Sequence, residues 1–129
     1  MDSQNLRIQC LTIDCQNPRE LAEFWAKVLG WKVTHESENE SYLERTVNGE
    51  VSPDYPDILF LRTHDEKVIK NRLHLDLRPN NQEDEVNRVM ALGAKKIEIG
   101  QSADSSTTWV VMADPEENEF CILKASQIN

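Results

Sequence analysis

The side chains able to do chemistry in this chain fall in few places. Along Arg72–Arg78, which reads RLHLDLR, His74, Asp76 and Arg78 alternate with leucines, and CLTIDC from Cys10 places Cys10, Thr12 and Asp14 in the same alternating way. In an extended segment each such set shares one face. A neutral imidazole beside a carboxylate serves as a general base or anchors a polar ligand, so His74 is the candidate catalytic residue. The bland alternative is a core histidine satisfied by one carboxylate. Asp14 and Asp76 are as well suited to pairing with Arg78 or with strand-end amides as to doing chemistry. Trp109 and Phe60 lie in strand-like segments where a ring can stack on a planar ligand. Lys67, Lys70 and Arg72 form a short basic stretch that could attract an anionic ligand but reads better as a solvated loop, and Glu36, Glu38 and Glu40 read as a wet face or hairpin edge.

Two flanking elements must position these groups. Leu6 to Cys15 reads as a strand. Asn17 then offers a helix cap, Pro18 the first helical position and Glu20 a capping-box partner, while Leu21, Phe24, Trp25, Val28 and Leu29 repeat at helical spacing before Gly30. The spacing predicts a helix over 18–29, with Trp25 in the core. Strands are expected at 31–36, 41–47 and 57–63, with a turn at Asn48-Gly49 and a broken loop through Ser52-Pro53-Asp54-Tyr55-Pro56.

The second half repeats the first. A strand over 72–78, a cap at Asn80-Asn81, an apolar stripe of Val86, Val89 and Met90, a stop at Gly93, and strands at 95–99, 108–113 and 119–123 follow the same order. Asp114-Pro115-Glu116-Glu117-Asn118 forms the last turn. A period of about 63 residues marks a duplicated βαβββ unit. The expected fold is α+β: one domain over 1–129, with modules at about 6–63 and 71–124 forming a curved eight-stranded open barrel round a central cavity. Apolar strand faces would meet the helices, leaving Thr12, Asp14, His74, Asp76 and Arg78 to face the cavity.

The formal charge is −9, from 14 basic and 23 acidic residues, with a pI near 4.8. Such a chain lacks the basic footprint of a nucleic-acid or anionic-membrane binder. Apolar runs are too short for a membrane span. Three cysteines (Cys10, Cys15, Cys121) without regular spacing point to a reducing cytosol rather than a disulfide framework. Four glycines supply no phosphate loop, and no Gly-x-Ser-x-Gly elbow occurs.

The duplicated order, Phe24-Trp25 with Leu29-Gly30, His74 and the Asp114-Pro115-x-x-Asn118 turn together resemble the vicinal oxygen chelate superfamily of glyoxalases, bleomycin-resistance proteins, fosfomycin-resistance enzymes and extradiol dioxygenases. NRLHLDLRP, the run from Trp109 to Pro115, and NEFCIL are similar to its small glyoxalase-like branch. The resemblance spans about 6–123. It implies a divalent metal held by His or Gln and Glu, at positions that here carry Cys10, His74 and Cys121. No carboxylate lies within 58–63 for the remaining, fourth-strand position. Two thiols and an imidazole would suit zinc, whereas small buried apolar filling is the usual role of free cysteine. A Cys10–Cys121 disulfide is disfavoured in a reducing compartment. The expectation is therefore a protein without metal or cofactor. It would bind a small, partly aromatic molecule through Thr12, Asp14, Phe60, His74, Asp76, Arg78, Trp109 and Cys121, for sequestration or carriage, as a homodimer. The alternatives are a lyase, isomerase or dioxygenase using His74 or a Cys/His metal site, and an interaction domain with a filled cavity.

Overall fold

Asn17 and Gly30 bracket the first helix as the sequence requires. In the computed structural model, which describes residues 7–64, 74–97 and 108–125, helix α1 spans Pro18–Leu29. Asn17 Oδ1 accepts from the Glu20 amide at 3.4 Å, and its side-chain amide donates to the Glu20 carboxylate at 3.0 Å. Both side chains thus take part in the capping box. Gly30 takes the left-handed conformation at φ 72°, which a β-carbon disfavours. Leu21, Ala22, Phe24, Trp25 and Val28 are buried, each large side chain contributing on the order of 1.5–3 kcal/mol relative to exposure.

The chain divides into two compact units, Met1–Glu66 and Lys67–Asn129. In the first, strands β1 (Cys10–Cys15), β2 (Lys32–Glu36), β3 (Glu40–Glu44) and β6 (Asp57–Arg62) form an open sheet in the order β1-β6-β3-β2. Two further strands, β4 (Thr46–Val47) and β5 (Glu50–Val51), form a separate hairpin around Asn48-Gly49. The expected strand over 41–47 is thus split. The strand expected from Leu6 begins at Cys10, and Ile8 is exposed.

The second unit contains β7 (Leu75–Leu77), helix α2 (Gln82–Leu92), β8 (Lys95–Lys96), β9 (Val110–Ala113) and β10 (Glu119–Ile122), with sheet order β7-β10-β9-β8. In both units the first strand pairs parallel with the last, which pairs antiparallel with the third, which pairs antiparallel with the second. This shared, non-sequential order is the structural expression of the repeat. The fold is mixed α+β; each four-stranded sheet is open, and no barrel closes among the described residues. Asn81 Oδ1 caps α2 by accepting from the Asp84 amide at 2.9 Å. Val86 and Val89 are its buried residues, but Met90, expected in the apolar stripe, is 45% exposed. It lies one residue beyond Val89, about 100° round the helix. Lys67, Lys70 and Arg72, and the expected strand residues 72–73 and 98–99, lie outside the described residues.

Candidate functional site

The chemistry of the second unit follows from strand register. Because β7 and β10 run parallel with Cys121 opposite Asp76, those two side chains share a sheet face. His74, two residues before Asp76, falls on the same side. His74 Nε2 lies 3.1 Å from Cys121 Sγ and 3.5 Å from Asp76 Oδ1, and the ligand-capable atoms of the three residues all lie within 4.8 Å of one another. Burial grades across the cluster. The thiol is covered, Cys121 being 6% exposed, whereas the His74 and Asp76 side chains are 31% and 59% exposed. Nothing in the sequence pattern alone shows that His74 and Cys121 touch; the parallel pairing of β7 with β10 brings them together.

The opposite face of this sheet is core: Phe120, Ile122 and Met112 are buried, and α2 packs on β10. Val111 pairs with Cys121, so alternation carries Trp109 to the Cys121 side, where it is 43% exposed. Its ring is available for stacking. Arg78 donates from Nη1 to the Lys124 carbonyl at 2.8 Å, bracing the sheet end. Gln82 Nε2 donates to the carbonyls of Thr108 and Ile122 at 2.8 and 3.1 Å, fixing the start of α2 against the sheet.

The Asp114 turn holds β9 and β10 in this register. Asp114 Oδ1 accepts from the amides of Glu116 and Asn118, both at 2.9 Å, and the Asn118 side-chain amide donates to the same carboxylate at 3.2 and 3.0 Å. Asp114 is buried. The Asp-Pro-x-x-Asn motif is therefore a structural clamp beside the site, with Glu117 forced to φ 68°.

In the first unit, Thr12 and Asp14 are exposed and stand in register with Leu59 and Leu61 on the face opposite Cys15. Phe60 corrects the ligand-stacking expectation. It is paired with Ile13 and Ser41 and fully buried, so its ring belongs to the core. An acidic group, Asp57, opens β6 directly opposite Cys10. Its Oδ2 accepts from Tyr42 Oη at 2.8 Å and Gln9 Nε2 at 3.0 Å. The hydrogen bond to Asp57 is the chief reason that Tyr42 holds its proton well above the ordinary phenol range, followed by desolvation, the Asp57 charge and Cys10. Tyr42 alternates with Glu40 and Glu44 along β3, which is the signal that marks its face. A pocket of about 90 Å³ lined by Gln9, Glu44, Ser52, Tyr55 and Asp57 among others is well below the roughly 300 Å³ of a drug-sized ligand site. The acids Glu36, Glu38 and Glu40 form surface pairs with Arg19, Arg62 and His35, as expected of a solvated hairpin.

The chain resembles several solved structures at low identity. A glyoxalase/bleomycin resistance protein/dioxygenase family enzyme from Burkholderia phytofirmans shares 17% identity, with a TM-score of 0.65 over 92% of this chain and 98% of that one. Protein ATC0852 from Agrobacterium tumefaciens shares 15%, with a TM-score of 0.68 over 94% and 98%. The fosfomycin resistance protein FosX from Listeria monocytogenes, solved with Mn(II) and sulfate, shares 12%, with a TM-score of 0.64 over 95% and 92%. These similarities establish the fold. No curated protein sequence matches this chain significantly. The glyoxalase-like domain family matches residues 10–123, nearly the full length of the repeat pair, and the chain belongs to that family.

Proposed function

We propose that this protein binds a small, partly aromatic organic molecule on the Cys121 face of its second sheet, for sequestration or carriage, without the kind of ion found in FosX. One observation carries the reading: a partly exposed imidazole and carboxylate, His74 and Asp76, converge over a buried thiol on the face that also carries exposed Trp109. Polar groups that fix orientation beside an aromatic wall are the usual makings of a small-molecule site. Thr12 and Asp14, exposed on the first sheet, are proposed as further contacts.

The donor chemistry argues against a hard ion. Mn(II) favours carboxylate, carbonyl and water oxygens, whereas the positions that the family resemblance gives to metal ligands carry thiols at Cys10 and Cys121. His74 Nε2 itself is directed at Cys121 Sγ. These residues do not fit the manganese of FosX.

Thermal-shift titration against a panel of planar aromatic compounds tests the reading. A ligand present at about 100 times its Kd stabilises the folded chain by about 2.7 kcal/mol, and the shift is expected to shrink in Trp109→Ala and His74→Ala. Failure of every compound to raise the melting temperature overturns the proposal. One equivalent of zinc in protein purified without chelator or tag, lost in His74→Ala, would replace it with a metalloenzyme. We also propose a cytosolic homodimer, with sedimentation equilibrium reading the assembly.

A further inference from the structure

We infer that Cys121 is a nucleophile assisted by His74 and that it captures alkenes conjugated to a carbonyl group; this deepens, and rests on, the ligand-binding role proposed for the same face. The inference starts from what each thiol touches. Cys10 Sγ lies 3.7 Å from the Leu11 carbonyl and beside the Tyr42 hydroxyl, and Cys15 Sγ lies 3.7 Å from the Leu61 carbonyl; neither a peptide carbonyl nor a phenol takes up a thiol proton in neutral water. Cys121 Sγ instead lies 3.1 Å from an imidazole nitrogen, within the reach that a base needs to accept the thiol proton as sulfur attacks. Asp76 Oδ1, 3.5 Å from the same nitrogen, stabilises the imidazolium that this transfer creates.

The site favours addition over displacement. His74 takes the S–H proton, the sulfur lone pair forms a C–S bond to the β-carbon of the alkene, and the π pair moves toward the carbonyl. The α-carbon then recovers a proton from His74. Nothing leaves, no oxidant or reductant is consumed, and the imidazole ends as it began. An addition of this kind uses one group as both base and acid beside the sulfur, which is what His74 offers. A displacement would also need a place for a departing anion, and the exposed neighbour is the Asp76 carboxylate. Trp109, exposed on the same side, supplies a stacking surface for an alkene conjugated to an aromatic ring.

The three thiols make the test internal. Cys10 is more exposed than Cys121, so accessibility alone predicts that Cys10 reacts first; activation by His74 predicts the reverse. The full chain is treated with one equivalent of N-ethylmaleimide near pH 7, quenched, digested and mapped by mass spectrometry. The expected result is an adduct chiefly on Cys121, formed at least about tenfold faster than in His74→Gln and a few-fold faster than in Asp76→Asn. Asp76 is largely solvent-exposed, so Asp76→Asn keeps the fold and serves as the second variant should His74→Gln not fold. Labelling of Cys10 ahead of Cys121, an unchanged rate in a folded His74→Gln, or capture that appears only after a chelator strips zinc overturns the inference. Reversible aromatic ligands that raise the melting temperature while maleimide spares Cys121 would refute the nucleophile and leave the binding role standing.

Discussion

Replacing Asp114 by alanine removes the acceptor of two backbone amides at once, those of Glu116 and Asn118, each at 2.9 Å from Oδ1. Asp114 is 3% exposed, so water does not readily replace the lost partner. Hydrogen bonds to a charged group contribute about 1.5–3 kcal/mol each, and the two share one oxygen, which places the loss for Asp114→Ala at about 3–5 kcal/mol. For a chain of this size that is roughly 10–20 °C in Tm. Asp114→Asn keeps a carbonyl oxygen for the same amides and gives up the charge, so its loss is expected near 1 kcal/mol. Urea unfolding reads both variants, with the midpoint falling and the slope m unchanged if the native sheet survives. A loss below about 1 kcal/mol for alanine, or equal losses for alanine and asparagine within about 0.5 kcal/mol, would refute the reasoning that the oxygen, rather than burial of the turn, holds the hairpin. The same turn sets Cys121 opposite Val111, so Asp114→Ala is also expected to slow maleimide capture at Cys121 where Asp114→Asn does not.

Glu117 occupies φ 68°, a conformation that costs an L-residue about 1–2 kcal/mol. Glu117→Gly is therefore expected to stabilise by about 0.5–1 kcal/mol after its own entropy cost, read as a higher urea midpoint. Tyr42 has a folded pKa raised above its ordinary 10.0, so its contribution is complete below that value and is lost as pH climbs past it, because the unfolded phenol ionises while the folded one does not. Tyr42→Phe should cost about 1–3 kcal/mol at pH 7 by stripping Asp57 of a donor, and the gap to wild type should narrow between pH 10 and 12 in urea titrations. Trp109→Ala, at a site 43% exposed, should change stability by no more than about 0.5 kcal/mol while weakening retention of aromatic ligands by isothermal titration calorimetry.

The helices were legible because their boundaries rest on local chemistry. Asn17, Pro18 and Gly30 each solve a terminus problem that depends on neighbours within four residues, and α1 occupies Pro18–Leu29 as expected. The repeat was legible for a different reason, since two copies of one unit must solve the same burial problem with the same order of elements. Strand ends were less readable. The start of β1 at Cys10 rather than Leu6 is set by pairing with Asp57 of β6, 47 positions downstream, and no local signal carries that limit. Met90 misled because apolar character shows which residues prefer burial, whereas the packing of α2 on its sheet decides which are covered.

The site divides along the same line. His74, Asp76 and Trp109 stand out in the sequence because alternation assigns faces without knowledge of partners. The contact between His74 and Cys121 does not, since it depends on β10 running parallel to β7 in a register that sets Cys121 opposite Asp76. A shift of one residue would turn Cys121 into the core and Phe120 toward His74. The same holds for Asp57 in the first unit: it lies one residue outside 58–63, and register alone puts this residue, which opens the strand, opposite Cys10. Each unit thus sets a cysteine in register with an aspartate across its parallel strand pair, Cys10 with Asp57 and Cys121 with Asp76. In the first the aspartate is buried and accepts from Tyr42 and Gln9; in the second it is exposed, and an imidazole stands beside both groups. The two pairs are not repeat equivalents, since the cysteine lies on the first strand of one unit and on the last strand of the other, and their surroundings differ accordingly. The difference rests on the presence of His74 and on the exposure of Asp76.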